Sequence, residues 1–206
     1  MSRTRSASAH QKVLDAALQL IAERGVDATS MDAIAAKSGV SKATIYKHWT
    51  DKEALLLEMM ADLHGLRSRP DFDTGNTRAD MIAVLSYREN PNAELRDRLA
   101  PHFIAYSARN LEFGLAWRNK VMEPPRKELL HLMKLGIEKR ELSPELDLSL
   151  CLAVLLGPML YWHVFLRHTS DDPTKLAKAV VDTFWRAYGL KKQATRPRNA
   201  SRSSPG

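Results

Sequence analysis

Apolar residues recur at helical spacing through most of this 206-residue chain, and this pattern restricts its fold more than any other feature. The first stripe occupies positions i, i+3, i+4 and i+7 from Leu14 to Ile21. Alternating β-branched segments, which mark β-strands, are absent, whereas Ala, Leu, Lys, Glu and Arg fill the periodic segments. We therefore predict an all-α fold.

Capping and turn residues divide this pattern into short N-terminal helices and longer helices after them. Ser8 with Gln11 forms a capping-box signature, Gly25 is expected to end the first helix, and Ser41 is expected to begin a short one. A loop rich in Pro, Asp, Gly and Asn spans 70–77 and is the best candidate boundary. Beyond it, helices are predicted at about 78–89, 93–109, 111–122, 125–141, 147–167 and 174–189.

The net charge of +7 does not belong to the body of the protein. Residues 1–12 carry a charge of +3 and residues 191–206 carry +5, while the remainder is close to neutral at −1. Both ends lack apolar periodicity, so we expect a disordered basic arm at 1–8 and a disordered basic tail at 191–206. A basic arm suits contact with nucleic acid phosphates, but net charge alone does not identify a partner.

The uncharged stretch 148–166 is long enough to span a bilayer. It contains Gly157 and Pro158 at its middle, and it stands alone in an otherwise water-compatible helical pattern. A buried core or interface helix is the preferred interpretation, and a membrane span is the alternative. No secretion signal precedes the first helix, so a cytoplasmic location is expected.

Sequence signals for an enzyme are missing. The single cysteine, Cys151, cannot form an internal disulfide or a multi-cysteine zinc site, and it lies within the uncharged stretch. The seven histidines form no H-E-x-x-H pattern, and there is no G-x-S-x-G nucleophile motif. We expect no catalytic residues, no metal and no cofactor.

Residues 30–49 have the plan of a helix-turn-helix, with two short helices joined by a tight turn around Gly39. In this motif the second helix enters the DNA major groove. Ile45 and Trp49 are expected on the inner face of that helix, which leaves small, hydroxyl and cationic groups for bases and phosphates on the outer face. The alternative is a pair of amphipathic helices that merely pack in a bundle.

The segment Val13–Leu57 resembles the N-terminal domain of TetR-family (tetracycline-repressor-like) transcriptional regulators. The matching run is VLDAALQLIAERGVDATSMDAIAAKSGVSKATIYKHWTDKEALL, with its strongest agreement at Gly39-Val40-Ser41, Tyr46 and Lys52-Glu53-Ala54-Leu55. Trp49 stands where family members often have Phe. The resemblance implies a homodimer that binds double-stranded palindromic operator DNA, with half-sites about 34–36 Å apart.

Carried over by position, the resemblance implies a set of DNA-binding residues, with base contacts from the second helix and phosphate contacts around it. These residues are Thr29, Ser41, Lys42, Ala43, Thr44, Tyr46, Lys47, His48 and Lys52.

The C-terminal two-thirds resembles the family's regulatory domain, which implies a small-molecule pocket between helices and a dimer interface. Candidate lining residues for an apolar or aromatic effector, each also compatible with plain core packing, are His102, Phe103, Tyr106, Phe113, Trp117, Met122, Met133, Tyr161, Trp162 and Phe165. Candidate dimer-interface residues are Leu155, Met159, Leu176, Val180, Phe184 and Tyr188.

These observations predict two domains: an N-terminal three-helix helix-turn-helix DNA-binding domain at 9–53, with a linking helix to about 69, and a C-terminal helical ligand-binding and dimerisation domain at 70–190. The expected function is a DNA-binding transcriptional regulator, with a ligand-released repressor as the favoured form. An activator of the same fold, or a helical interaction protein without DNA binding, is the alternative.

Overall fold

The computed structural model describes residues 2–87, 93–166 and 172–190, and in these ranges the chain is helical without named strands. The N-terminal helices are α1 (Ser2–Arg24), α2 (Met31–Ser38), α3 (Lys42–Tyr46) and α4 (Lys52–Leu63). The remaining helices are α5 (Thr77–Ser86), α6 (Ala93–Arg109), α7 (Leu111–Trp117), α8 (Glu123–Glu138), α9 (Leu148–Phe165) and α10 (Pro173–Tyr188). The all-α prediction is confirmed, and the predicted helices from 78 onward agree closely with those observed.

Short polar side chains begin the N-terminal helices. Ser30, Ser41 and Asp51 are the N-caps of α2, α3 and α4, and each side chain accepts a hydrogen bond from a backbone N–H three residues later. Gly39 ends α2 at φ 68°, in the left-handed region, which is unfavourable for residues with a Cβ atom but accessible to glycine. This turn directs α3 away from α2.

The first helix begins earlier than the sequence predicts. α1 starts at Ser2, so Ser8 lies inside the helix and does not cap it. The expectation of a disordered arm at 1–8 is therefore wrong for residues 2–8, because the Ala- and Arg-containing segment extends the helix upstream. Gly25 follows the last residue of α1 at φ 84°, as expected. The predicted tail at 191–206 lies outside the described residues.

A π-helical turn (Arg118–Met122) links α7 to α8, so the backbone stays helical from Leu111 to Glu138. Pro124 and Pro125 occupy the first turn of α8 and cannot donate backbone hydrogen bonds to the carbonyls of the π-helical turn before them. Pro101 and Pro158 lie inside α6 and α9.

Two separate groups of buried side chains hold the helices together. The first core combines α1–α4 with residues of α6, α7 and the π-helical turn, including Leu99, Phe103 and Phe113. The second core is built from α5, α8, α9, α10 and the turn residue Leu142. α6 and α7 therefore pack with the N-terminal helices, although they follow the loop at 70–77.

In the part of the chain that the structure describes, no helix is both long and apolar enough to cross a membrane. One side of α9 is buried in the second core through Cys151, Leu152 and Leu155. Its other side carries exposed apolar residues. The buried-core interpretation of the uncharged stretch thus accounts for half of this helix.

Candidate nucleic-acid interface

The short helix α3 is held from behind by two buried side chains. Ile45 is 1% exposed and Trp49, three residues after the helix ends, is 2% exposed, and both belong to the first core. At the start of α3, the Ser41 hydroxyl accepts from the Thr44 backbone N–H at 3.2 Å and lies 2.9 Å from the Thr44 hydroxyl. A five-residue helix is too short to be stable alone, so this cap and this anchoring determine its position.

The opposite side of α3 faces solvent. Lys42, Ala43, Tyr46, Lys47 and His48 are exposed, and the Tyr46 ring is 50% exposed. Together with Ser41 and the half-buried Thr44, they form a surface of hydroxyl, methyl and cationic groups, which we call the α3 surface. Such groups are those that contact base edges and phosphates in the major groove.

One carboxylate lies at the edge of the α3 surface. Asp32, in the first turn of α2, forms an ion pair with the ammonium group of Lys42, and both side chains are mostly exposed. The hydrogen bond to Asp32 raises the pKa of Lys42 above its ordinary value of 10.5. Lys42 is therefore charged at neutral pH and is turned toward the N-terminus of α2.

Two residues that were expected to contact DNA point inward instead. Thr29 is 1% exposed, and its hydroxyl donates to the Gly25 carbonyl at 2.8 Å, so it closes the turn after α1. The Lys52 ammonium donates to the Val26 carbonyl at 3.1 Å and lies 5.6 Å from the centre of the Tyr106 ring. Direct phosphate contact by the Thr29 side chain was a wrong expectation, and Lys52 joins α4 to the turn after α1.

A carboxylate on α4 lies directly behind the α3 surface. Glu58 accepts the indole N–H of Trp49 at 2.7 Å through one oxygen, while the other oxygen lies 3.0 Å from Nε2 of His10 and pairs with Arg67. Burial pushes the pKa of Glu58 upward, but the Trp49 hydrogen bond and the electrostatic interactions with His10 and Arg67 outweigh it, so the pKa lies below its ordinary value. The sequence reasoning missed Glu58, although a buried indole N–H signals that an acceptor must lie nearby.

The predicted pocket residues do not lie together. Phe103, Tyr106, Phe113 and Trp117 pack ring against ring in the first core, with centroids 5.0–6.0 Å apart. His102 contacts the turn after α1, since a Cβ on Gly25 would lie 3.3 Å from its ring. Met133 belongs to the second core.

The remaining pocket candidates lie nearer the surface. Tyr161 and Phe165 stack on each other at 5.4 Å on the outside of α9, where they are 56% and 67% exposed. Met122 is also exposed, and Trp162 is half-buried. The prediction of one pocket lined by all ten residues was therefore wrong, because α9 turns Tyr161 and Phe165 away from the protein interior.

The residues predicted for the dimer interface lie in or against the second core of the protomer itself. Leu155, Met159, Val180 and Phe184 are buried in the second core of the protomer itself, and Leu176 and Tyr188 pack against them. The sequence prediction selected the inward face of each helix. The exposed apolar side chains of α9 lie on its opposite face and include Leu150, Val154, Leu160, Tyr161 and Phe165.

Comparison with known proteins covers both halves of the chain. A family model described as bacterial regulatory proteins of the tetR family matches residues 13–59, and a model described as a tetracyclin repressor-like C-terminal domain matches residues 71–184. The HTH-type transcriptional regulator YdeS of Bacillus subtilis, itself uncharacterized, is 29% identical over 77% of this chain and 80% of its own length.

Solved structures resemble the fold over most of its length. A TetR-family transcriptional regulator from Mesorhizobium loti is 27% identical, covers 90% of this chain and 99% of its own, and has a TM-score of 0.61. The transcriptional regulator FadR from Bacillus subtilis, solved in complex with stearoyl-CoA, is 21% identical, with a TM-score of 0.65 over 84% of this chain and 96% of its own.

Proposed function

This chain belongs to the tetR family of bacterial regulatory proteins and is a DNA-binding transcriptional regulator, not an enzyme, and we propose that it is a repressor released by a small ligand. In this proposal a homodimer binds a palindromic operator through two copies of α3. The two copies enter successive major grooves, which places the half-sites about 34–36 Å apart. Because the target is DNA, the proposed location is the cytoplasm.

One observation carries the assignment of α3 as the reading helix. Ile45 and Trp49 anchor it in the first core while Lys42, Ala43 and Lys47 remain exposed to solvent. A helix that is buried on one side and polar on the other at a bundle surface can enter a groove without rearranging its own packing. Lys42 and Thr44 are the proposed base contacts, and Tyr46, Lys47 and His48 are the proposed backbone contacts.

The second copy is proposed to pack on the outer face of α9. Leu150, Val154, Tyr161 and Phe165 recur along this face at helical spacing, and at least 36% of each side chain is exposed. An apolar stripe of this length is unusual on a monomer but ordinary in an obligate interface. It replaces the interface predicted from the sequence, which used the buried face of the same helix.

The effector is proposed to bind beside the aromatic residues of α6 and α7. Phe103, Phe113 and Trp117 offer an apolar environment, and the buried indole N–H of Trp117 has no acceptor among the described residues. A ligand with a long apolar portion and a polar acceptor would satisfy both features. FadR, a protein of the same fold, holds stearoyl-CoA, which has this chemical character.

Release from DNA follows from differential affinity. An effector that binds better to a state with wrongly spaced α3 helices shifts the population toward that state, and its effect cannot exceed the ratio of its two affinities. The packing of α6 and α7 against α1 and α4 supports this coupling, since an effector among their side chains would displace helices of the DNA-binding region.

DNA selection tests the proposal. The purified protein is incubated with random duplex DNA at near-physiological salt, and retained sequences are recovered; we expect a palindrome. Lys42→Ala should then cost about 1–3 kcal/mol on that palindrome and relax its preferred base. Tyr46→Ala should weaken binding to all sequences alike. Recovery of sequences without symmetry would refute the dimeric operator.

Two further measurements test the remaining parts. Tyr161→Glu should convert the dimer to a monomer in sedimentation, whereas Lys178→Glu, on the exposed polar side of α10, should not. A reporter gene placed behind the recovered palindrome determines the sign of regulation: repression is expected, and activation by the protein would support the alternative form of the same fold.

A further inference from the structure

The indole N–H of Trp49 is buried and forms a hydrogen bond to a carboxylate on α4. Trp49 is 2% exposed, so its N–H cannot reach bulk water and must find an acceptor inside the protein. Glu58 supplies that acceptor at 2.7 Å from the middle of α4. The residue that ends the α3 segment is thus attached to α4 by a hydrogen bond to a carboxylate, which is stronger than one between neutral groups.

The same carboxylate also binds the first helix. Its second oxygen lies 3.0 Å from Nε2 of His10 in α1, and Arg67, which follows α4, pairs with that oxygen as well. The Glu58 side chain is 17% exposed, so water screens these interactions only weakly. The first helix, the residue that follows α3 and the segment after α4 therefore meet at one carboxylate.

Ring contacts extend this cluster to the α3 surface. The His10 ring packs on Trp49 with centroids 4.5 Å apart, and it meets the His48 ring edge-on at 5.3 Å. His48 is exposed at the end of the α3 surface, next to Lys47. The position of Trp49 consequently determines where the C-terminal end of the α3 surface lies.

The other contacts of α4 lead away from DNA. Glu53, five residues before Glu58 on α4, accepts a hydrogen bond from the Tyr106 hydroxyl of α6 at 2.9 Å. α4 also packs against α7 and the π-helical turn. A displacement of α6 or α7 would therefore reach Glu58 through a single helix of twelve residues.

We infer that Glu58 is a positioning residue for DNA binding, which holds Trp49 and His10 against α4 and so sets the angle at which α3 meets the major groove. This inference rests on the proposed role of α3 as the reading helix. Glu58 would then contribute to operator affinity and to the preferred spacing of half-sites, although its carboxylate does not touch DNA.

The test is a double-mutant cycle on the full-length protein. Trp49→Phe removes the N–H donor but keeps an aromatic ring, Glu58→Leu removes the acceptor, and Glu58→Gln keeps an oxygen that can accept. Dissociation constants are measured for the palindrome recovered from random DNA and for a version with one base pair added at its centre. Thermal unfolding of every variant is recorded in parallel.

We expect Trp49→Phe and Glu58→Leu each to weaken binding about five- to tenfold, and the double variant to be no weaker than the worse single one. Glu58→Gln should retain affinity within about threefold. Both disruptive variants should discriminate less between the two spacings, a change that reduced stability alone would not produce.

Glu128→Leu is the matched control. It also raises the net charge by one and breaks a carboxylate–arginine pair, the one with Arg69, but it lies in α8 away from α3. It should lower the unfolding temperature without changing the spacing preference. Multiplicative effects in the double variant, or reduced stability with unchanged affinity and spacing preference, would overturn the inference.

Lys42→Ala and Lys47→Ala separate this inference from the function on which it rests. If neither lysine variant weakens operator binding, α3 is not the reading helix and the proposed function fails. If both weaken binding while the Trp49 and Glu58 variants bind normally, only the positioning role of Glu58 is wrong.

Discussion

The two cores of this protein differ in how they are assembled. The second core joins helices that all follow the loop at 70–77, namely α5, α8, α9 and α10. The first core joins α1–α4 to α6 and α7, which lie on the other side of that loop in sequence. The difference shows that the boundary of a sequence motif need not be a boundary of packing.

Polar contacts follow the same division. Arg109 at the end of α6 pairs with Asp27 in the turn after α1 at 2.5 Å, and the Tyr106 hydroxyl bonds to Glu53 on α4. In the second region, Arg69 binds Glu128 of α8 through its Nε at 2.8 Å, and Arg78 pairs with Asp182 of α10 at 2.5 Å. α6 and α7 thus contact the DNA-binding helices directly, which makes them the expected route for a regulatory signal.

The largest expected effect comes from truncating one large side chain in each core. Phe103→Ala and Phe184→Ala remove rings that are at most 1% exposed, and each should reduce the free energy of unfolding by about 3–5 kcal/mol. Phe103→Ala should increase hydrogen exchange in α1 and α4, whereas Phe184→Ala should do so in α5 and α10. Equal loss of protection in both regions for both variants would mean that the two cores unfold as one unit.

A smaller effect is expected from the contact between α6 and α4. Tyr106→Phe removes the hydroxyl that donates to Glu53 and should cost about 1.5 kcal/mol in chemical denaturation. Burial, followed by the hydrogen bond and charge of Glu53, raises the pKa of Tyr106 to about 12. The stability linked to this group is therefore complete below its ordinary pKa of 10 and is lost as the pH rises toward 12.

Measuring the free energy of unfolding across this alkaline range tests whether stability falls as the pH rises. The wild-type protein should lose more stability between about pH 10 and pH 12 than the Tyr106→Phe variant does. Tyr188→Phe serves as the comparison in the second core, where the Tyr188 ring packs on Phe184 at 5.1 Å. If the stability of both variants depends on alkaline pH in the same way, the hydrogen bond between Tyr106 and Glu53 gives the first core no pH dependence of its own.

The smallest expected effect is on stability at acidic pH, through the carboxylate of Glu58. Because the pKa of Glu58 is lowered in the folded protein, its contribution to stability is present above its ordinary pKa of 4.5 and is lost as the pH falls. Glu58→Gln should flatten part of the acid limb of the stability curve between about pH 5 and pH 3. If the Glu58→Gln variant loses stability as steeply as the wild-type protein when the pH falls, the Glu58 carboxylate is not stabilised by its partners in the first core.

Sequence periodicity predicted the helices well because each depends on local spacing and on nearby breakers. The helices predicted at 93–109 and 174–189 agree with α6 and α10 to within one residue at each end. The direction of each apolar face was harder to predict. α9 is apolar on all sides, so its sequence contains no periodicity that separates the buried Leu155 from the exposed Val154.

The candidate site was predicted in part for a similar reason. Exposure of Tyr46 and Lys47 follows from their spacing relative to Ile45, which is a local property, whereas Lys42 lies three residues before Ile45 and owes its exposure to its place at the start of α3. The inward turn of Lys52 and the contact between Glu58 and Trp49 depend on how α4 packs against α1 and α3. Such long-range contacts have no signature in a single sequence, apart from the need of a buried indole for an acceptor.

The π-helical turn at Arg118–Met122 joins a helix that packs in the first core to a helix that packs in the second. α7 contributes Phe113 to the first core and α8 contributes Leu132 to the second, although both belong to one continuous helical rod. A π turn holds one residue more than an α turn, and each residue rotates a helix by about 100°. Deleting a single residue there would convert the π turn to an α turn and keep Leu132 in phase with Phe113, whereas a deletion in the α-helical part of the rod would turn one of them out of its core. The extra residue of the π turn is therefore a position at which this rod can shorten while α7 keeps its place in the first core and α8 keeps its place in the second.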